Sequence, residues 1–242
     1  MAEIRNIVIL TGAGISQESG LPTFRTMANG EMGWDTGLTV HPLEDVATPE
    51  AFARNPELVH KFYDERRAKL DAVAPNEAHR ALARLDAEWP GELLLVTQNV
   101  DDLHERAGSK RLIHMHGELT QGWCLRCNQR FAWTGPMGEG AGCPDCGTTG
   151  MVRPDIVWFG EMPYEMERID EALRNCDLFV SIGTSGAVYP AAGFVQSARY
   201  CGAATLEMNL EPSLGSIYFD ESRTGPASEL VPEWVEQILA AT

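Results

Sequence analysis

Short apolar runs of strand length alternate along this chain with stretches whose apolar residues recur three and four positions apart. Ile7-Val8-Ile9-Leu10 is the first such run, and the glycines Gly12 and Gly14 end it. An unbroken apolar run of this length predicts a strand buried on both faces, as in a parallel sheet. Similar strands are predicted at 93–96, 111–114, 177–182 and 203–209. Between them, Leu58, Val59, Phe62, Tyr63, Arg66 and Leu70 mark a helix over 56–73, and Leu82 and Leu85 mark another over 76–89. Further helices are predicted at 164–175, at 191–201 and from Pro232 onward. Residues 26–39 show no periodicity and are expected to form a mobile loop. Strands alternating with helices predict an α/β fold, a doubly wound parallel sheet.

Composition narrows the class without naming it. The 242 residues are 44% hydrophobic and 22% charged, the balance of a soluble globular protein. No apolar run reaches the roughly 18 residues that cross a bilayer. The first run lacks the long core of a signal peptide, so a cytoplasmic location is expected. A net charge of −16 argues against binding nucleic acid through its phosphates and favours basic partners such as lysine-rich segments. No coiled coil or apolar seam is legible, and a monomer is expected.

The region 119–153 differs from its surroundings, being rich in Gly, Cys and Trp. Cys124, Cys127, Cys143 and Cys146 form two Cys-x-x-Cys pairs with fifteen residues between them. This spacing fits a four-thiolate zinc site, and four protein ligands leave no open position for water or substrate, so the role is structural. The middle, 135–142, is expected to be flexible. Cys176 and Cys201 are expected to be buried thiols.

Three further strings carry candidate chemistry. Gly12-Ala13-Gly14-Ile15-Ser16 lies between a strand and a helix, where glycines let the backbone approach a phosphate or simply form a tight turn. Gln17 occupies the third glycine position of a dehydrogenase fingerprint. Gln98-Asn99-Val100-Asp101 directly follows a strand, where ligands of parallel sheets bind, although Asp101 could equally cap a helix. His114 and His116 stand two apart before Gly117, so a metal pair is conceivable.

In this order, these strings resemble the sirtuins, the NAD-dependent protein deacylases. The string Gly12 to Gly20 followed by Phe24-Arg25, then Gln98-Asn99-Val100-Asp101 and His114-Met115-His116-Gly117-Glu118, carries the resemblance, which extends over nearly the whole chain. Thr23 stands where the family often has aspartate, and the 26–40 loop is longer than in close relatives. The resemblance implies a Rossmann-like domain of residues 1–26, 76–118 and 154–242. It also implies a small domain of a helical module, 27–75, and a zinc module, 119–153.

By the same resemblance, His116 is the base, with Gln98 and Asn99 also in the catalytic set. NAD contacts fall to Gly12, Ala13, Gly14, Ser16, Phe24, Arg25, Gln98, Asn99, Val100 and Asp101. Gly183, Thr184, Ser185, Asn209, Glu211 and Ala227 complete the cofactor side. An acyl-lysine peptide is expected to lie as a strand against Val157, Phe159, Gly160 and Glu161 and the loop at Val188. Phe62-Tyr63-Asp64-Glu65-Arg66-Arg67 resembles the subgroup that accepts acidic acyl groups, with Tyr63 and Arg66 gripping a carboxylate and Ala47 leaving room. The implied reaction is attack of the acyl oxygen on the ribose C1′ and release of nicotinamide. His116 then deprotonates a ribose hydroxyl, giving lysine and 2′-O-acyl-ADP-ribose. Succinyl- and malonyl-lysine are the expected substrates, with acetyl-lysine also accepted. A protein ADP-ribosyltransferase, a zinc-ribbon binding module and a dehydrogenase are the rival readings.

Overall fold

The computed structural model describes residues 4–21, 25–26, 32–35, 40–138 and 140–241. Six strands form one sheet: β1 (Asn6–Thr11), β2 (Glu92–Thr97), β3 (Leu112–His114), β4 (Leu178–Ile182), β5 (Ala204–Asn209) and β6 (Glu221–Thr224). Their spatial order is β6-β5-β4-β1-β2-β3, and every neighbouring pair is parallel. This is the Rossmann-like order, which reverses direction between β1 and β4 and opens a crevice at their carboxyl ends.

Alternation along the strands sends successive side chains to opposite faces. Ile7, Ile9, Leu93 and Leu95 meet Leu82 and Leu85 of helix Glu77–Glu88 and Val231, Trp234 and Val235 of helix Ala227–Ala240. Val8, Leu10, Leu94 and Val96 meet Ile169 and Leu173 of helix Met166–Asn175 and Phe194 and Val195 of helix Phe194–Tyr200. Each fully buried aliphatic side chain contributes on the order of 1.5–3 kcal/mol. Two smaller cores lie apart from these. One joins helix Pro56–Leu70 to Leu119, Ile156 and Trp158, and the other surrounds Cys124, Met137, Cys143 and Val152. A three-stranded antiparallel sheet, Arg130–Ala132, Gly117–Cys124 and Val152–Ile156, runs between them.

Several expectations are corrected. The last helix starts at Ala227 and holds Pro232 inside it, because the apolar face of Val231, Trp234 and Val235 offsets the lost backbone bond. Parts of the expected mobile loop are strands: Arg25–Thr26, Met32–Asp35 and Val40–Pro42 pair antiparallel, which satisfies their backbone groups. The remainder, 27–31 and 36–39, lies outside the described residues. β6 was not legible because its residues are polar and mostly exposed. Cys201 is exposed rather than buried, since it caps the end of helix Phe194–Tyr200, whereas Cys176 is buried as expected. The middle of the cysteine-rich region is anchored: Met137 is fully buried and its N–H donates to the Asp64 carboxylate at 2.9 Å. Among the described residues, no helix is long and apolar enough to cross a membrane.

Beneath the sheet ends lie two fully buried histidines, His79 and His104, with ring centroids 4.8 Å apart. Burial, assisted by the Arg80 charge, pushes His79 down to about 4. An unfolded histidine titrates near 6.5, so between these values the unfolded chain binds more protons. The contribution of His79 is therefore fully present above about pH 6.5 and lost as the pH falls toward 4, by about 3 kcal/mol. Urea titrations across this range should show the loss, and His79→Gln should reduce it while the likewise lowered His104 keeps its own share.

Candidate active site

At the switch point two loops cross in backbone contact. Gly12 N–H donates to Ile182 O at 3.0 Å, and Gly14 N–H donates to Gly183 O at 2.9 Å. A Cβ on Gly14 would lie 2.7 Å from the Gly183 Cα, and one on Gly183 would lie 2.5 Å from the Ile15 nitrogen. Gly183 also has φ +64°, where side chains are disfavoured. The glycines thus first serve loop-on-loop packing. Ala13 begins the short helix Ala13–Gln17 behind them, and Ser16 is buried in it.

Gln98 to Asp101 leaves the end of β2 and is pinned atom by atom. Gln98 N–H donates to Thr11 O at 3.0 Å. Asn99 N–H donates to Thr97 Oγ1 at 3.0 Å, and its side-chain amide donates to Gly12 O at 3.1 Å and to Ser16 Oγ at 2.9 Å. Asp101 accepts from Leu103 N–H at 3.2 Å. Burial pushes its carboxyl up, against hydrogen bonds from Leu103 and Ser16. Asp101 thus holds the first N–H of helix Leu103–Ala107 from the position before its N-cap, Asp102. Val100 packs against the core of helix Pro56–Leu70.

His116 Nδ1 lies 3.2 Å from Gln98 O. A carbonyl only accepts, so Nδ1 carries the hydrogen and the neutral ring keeps its lone pair on Nε2. Burial lowers the His116 pKa, opposed by the Gln98 bond. The ring is therefore neutral and basic at physiological pH. The His116 carbonyl accepts from Val157 N–H at 2.9 Å, and Gly117 beside it has φ +80° with a would-be Cβ 2.0 Å from Asp155 O. The conceivable metal pair of the two histidines is not formed. Among the described residues, the groups able to hold a metal are the cysteine quartet and Glu105, His114 and Glu118, and neither includes His116.

Residues 157–161 form a turn rather than a continued strand. Phe159 N–H is taken by Ala47 O at 3.0 Å, Glu161 N–H by Trp158 O at 3.0 Å, and Gly160 has φ +90°. The Glu161 carboxylate accepts from Trp158 N–H at 2.8 Å and from the buried Arg153 at 2.7 Å. Phe159 and Val188 are exposed apolar side chains.

Tyr63 is buried, and its oxygen accepts from the Trp158 indole N–H at 2.9 Å. Its own O–H remains a donor, because burial raises the phenol pKa despite the opposing Arg66 charge. Arg66 lies on the same helix with its guanidinium 5.1 Å from the Phe62 ring centre. Burial lowers its pKa, while Tyr63 and Asp101 raise it. Ala47 is buried in the same core as Tyr63. On the opposite side, Asn209 Nδ2 donates to Thr184 O at 3.0 Å, Ser185 and Glu211 are exposed, and Ala227 opens the last helix buried in the sheet core. Arg25 lies in a strand, and Phe24 lies outside the described residues.

The four cysteine sulfurs converge. Cys124 and Cys146 are 3.8 Å apart and Cys127 and Cys143 are 3.6 Å apart, with all four within 4.8 Å of one another. A tetrahedral zinc with sulfur ligands at about 2.3 Å requires sulfurs about 3.8 Å apart. The two turns repeat each other. Cys124 O accepts from Asn128 N–H and Cys143 O from Gly147 N–H, each at 2.9 Å, and Asn128 and Gly147 both have positive φ. Hydrogen bonds from Thr148 draw Cys146 down to about 6, toward the thiolate that zinc needs. The donor set and its geometry fit zinc.

The Sir2 family model matches residues 12–190. This chain belongs to the Sir2 family. It is 56% identical over 235 residues to an NAD-dependent protein deacylase of Pasteurella multocida, covering 96% of this chain and 97% of that one. With an NAD-dependent protein deacylase of Caulobacter vibrioides it shares 54% over 243 residues, covering 99% of each. Among solved structures, a Sir2 homolog–NAD complex superposes with a TM-score of 0.86 at 37% identity, covering 99% of this chain and 91% of that one. A Sir2 bound to acetylated peptide gives 0.81 at 28%, covering 97% and 94%.

Sequence reasoning missed residues that hold this Sir2 site together. Thr11 Oγ1 bonds Thr97 Oγ1 at 2.9 Å and His104 Nε2 at 3.0 Å under the Gln98 segment. Glu207, almost fully buried, accepts from Ser213, Ser216, Ser222 and the Asn209 amide. The available signal was Glu207 inside the expected strand 203–209, with Thr11 and Thr97 one residue past the expected strands 7–10 and 93–96. Because strand Gly117–Cys124 runs from the His116 turn into the cysteine site, metal loss should reach the crevice. Stripping zinc, or Cys124→Ser, should release about one zinc per chain. It should also change the fluorescence of Trp123 and Trp133 and abolish activity, while circular dichroism from the large sheet persists.

Proposed function

We propose that this chain is an NAD-dependent protein-lysine deacylase that removes succinyl and malonyl groups and also accepts acetyl groups. The observation that carries the reading is His116, neutral, with Nδ1–H fixed on Gln98 O and Nε2 unprotonated in the crevice of a Sir2 fold. The names of relatives and the NAD- and peptide-bound neighbours support the cofactor and the substrate class. NAD supplies a ribose carbon from which nicotinamide can leave. Asn99 and Asp101 hold its nicotinamide end, Gln98 contacts the ribose, and Gly12, Gly14, Thr184 and Asn209 line the remainder. His116 accepts the proton of a ribose hydroxyl on Nε2, so that this oxygen attacks the acyl carbon. The acyl oxygen takes nicotinamide's place on the ribose carbon, and the acyl carbon–nitrogen bond breaks after the hydroxyl oxygen has bonded to that carbon. One water supplies the oxygen and protons that complete free lysine and an acylated ADP-ribose.

Arg66 and the Tyr63 O–H supply a cation and a donor from one helix face, which suits the far carboxylate of a succinyl group. A pocket for acetyl alone would not need the costly partial burial of a guanidinium. The peptide lies between Phe159 and Val188. In this reading 1–26, 76–118 and 154–242 bind NAD, and 27–75 with 119–153 form the smaller unit, supported by their separate cores. A cytoplasmic monomer acting on many acidic-acylated proteins completes the proposal.

With one peptide sequence carrying either acyl group, mass spectrometry should give a higher kcat/KM for succinyl-lysine. Arg66→Met should cut desuccinylation by about 100-fold and deacetylation by less than about threefold. Equal losses remove the acid-pocket assignment. The base must be neutral and its pKa is lowered, so the acid limb of the pH–kcat/KM profile should fall below pH 6.5 and vanish with the activity in His116→Ala.

A further inference from the structure

Two histidines bond consecutive carbonyls of one short segment. His116 Nδ1 lies 3.2 Å from Gln98 O, and His114 Nδ1 lies 3.1 Å from Asn99 O. They differ at the other nitrogen. His114 Nε2 meets the carboxylate of Glu105, which comes from helix Leu103–Ala107 directly after Asp101 and Asp102. An imidazole gripped by a carboxylate on one nitrogen has its ring and its remaining N–H oriented. Burial lowers the His114 pKa, but Glu105 and Glu118 outweigh it and the ring keeps its proton to higher pH. The Asn99 carbonyl therefore receives a bond from an N–H whose direction Glu105 fixes.

Asn99 has little other latitude. Its N–H is held by Thr97, and its amide by Gly12 O and Ser16 Oγ. The carbonyl is the last backbone group before Val100, and the His114 ring takes it at 3.1 Å. A displacement there would rotate the planar 99–100 peptide between the Asn99 and Val100 Cα atoms, which moves Asn99 directly and Asp101 through Val100.

We propose that Glu105 and His114 form a positioning pair that holds the Asn99 carbonyl, and so sets the Asn99 and Asp101 side chains for the nicotinamide end of NAD. The pair touches neither substrate nor the reacting atoms. The identity of that ligand rests on the deacylase reading above.

Three variants of the full chain test this: His114→Leu, His114→Asn and Glu105→Ala. Calorimetry reads NAD binding, kinetics read peptide KM and nicotinamide inhibition, and melting reads folding. His114→Leu should weaken NAD binding and nicotinamide inhibition about tenfold and leave peptide KM within about twofold. In His114→Asn the amide nitrogen takes the place of Nδ1 and should restore NAD affinity to within about threefold of the parent. Glu105→Ala, at a half-exposed carboxylate, should fall between them. NAD affinity unchanged in His114→Leu overturns the proposal, as do parallel losses for NAD and peptide that His114→Asn fails to relieve. If His114→Leu does not fold, Glu105→Ala decides, and parental NAD affinity in it overturns the proposal. A parent that binds NAD without deacylating any peptide defeats the deacylase reading alone, because the binding comparison still stands. A parent that does not bind NAD defeats both.

Discussion

Everything in this site depends on the close crossing of two backbones at the sheet's switch point. The loops after β1 and β4 approach until Gly14 and Gly183 touch through atoms where any side chain would collide. That contact is fastened by the bonds from Gly12 N–H to Ile182 O and from Gly14 N–H to Gly183 O. It sets where helix Ala13–Gln17 begins and therefore where Ser16 sits. Ser16 and the Gly12 carbonyl then receive the Asn99 amide, so the loop after β2 takes its position from the same crossing. Three strand ends are tied into one rigid rim, and parallel-sheet ligands bind along such a rim.

A second constraint joins the rim to the smaller cores. Gly117, with its positive φ and its close approach to Asp155 O, turns the chain from His116 into the long antiparallel strand. That strand leads to the cysteine quartet, and its partner Val152–Ile156 returns into the turn carrying Trp158 and Glu161. Trp158 bonds Tyr63, and Arg153 stacks on Trp158 at 3.3 Å while pairing with Glu161. Zinc in the quartet would thus steady Tyr63, Trp158 and His116 through one connected strand pair.

Buried polar groups carry the precision of the arrangement. Thr11, Thr97 and His104 form a small network below the Gln98 segment, and Glu207 gathers three serine hydroxyls and an amide on the opposite side. In a low-dielectric interior these bonds hold the side chains in place, although the buried His104 Nδ1 has no hydrogen-bond partner among the described residues.

Much of the fold was written in the chain's local patterns. Ile7 to Leu10, Leu93 to Val96 and Leu178 to Val180 are apolar without interruption and of strand length, the pattern of inner strands of a parallel sheet. The cysteine spacing fixed a four-sulfur site, since two tight turns can deliver no other geometry. The strings around Asn99 and His116 marked the candidate chemistry through their resemblance to the sirtuin motifs, since polar residues after strand ends left structural readings open. Other features depended on distant partners and left no local trace. β6 is polar and becomes a strand only because β5 offers it an edge. Helix Ala227–Ala240 runs through Pro232 because the sheet buries its apolar face. Met137, in a glycine-rich stretch, is anchored by Asp64 from another segment. The orientation of His116, the pairing of His114 with Glu105, and the contact of Gly14 with Gly183 each join residues far apart in the chain or on separate elements. Sequence determined which residues could do chemistry, because residue type and short spacing are local properties. Tertiary structure alone decided which nitrogen carries the proton and which carbonyl holds it, because a hydrogen bond is a distance and an angle that only the folded chain defines.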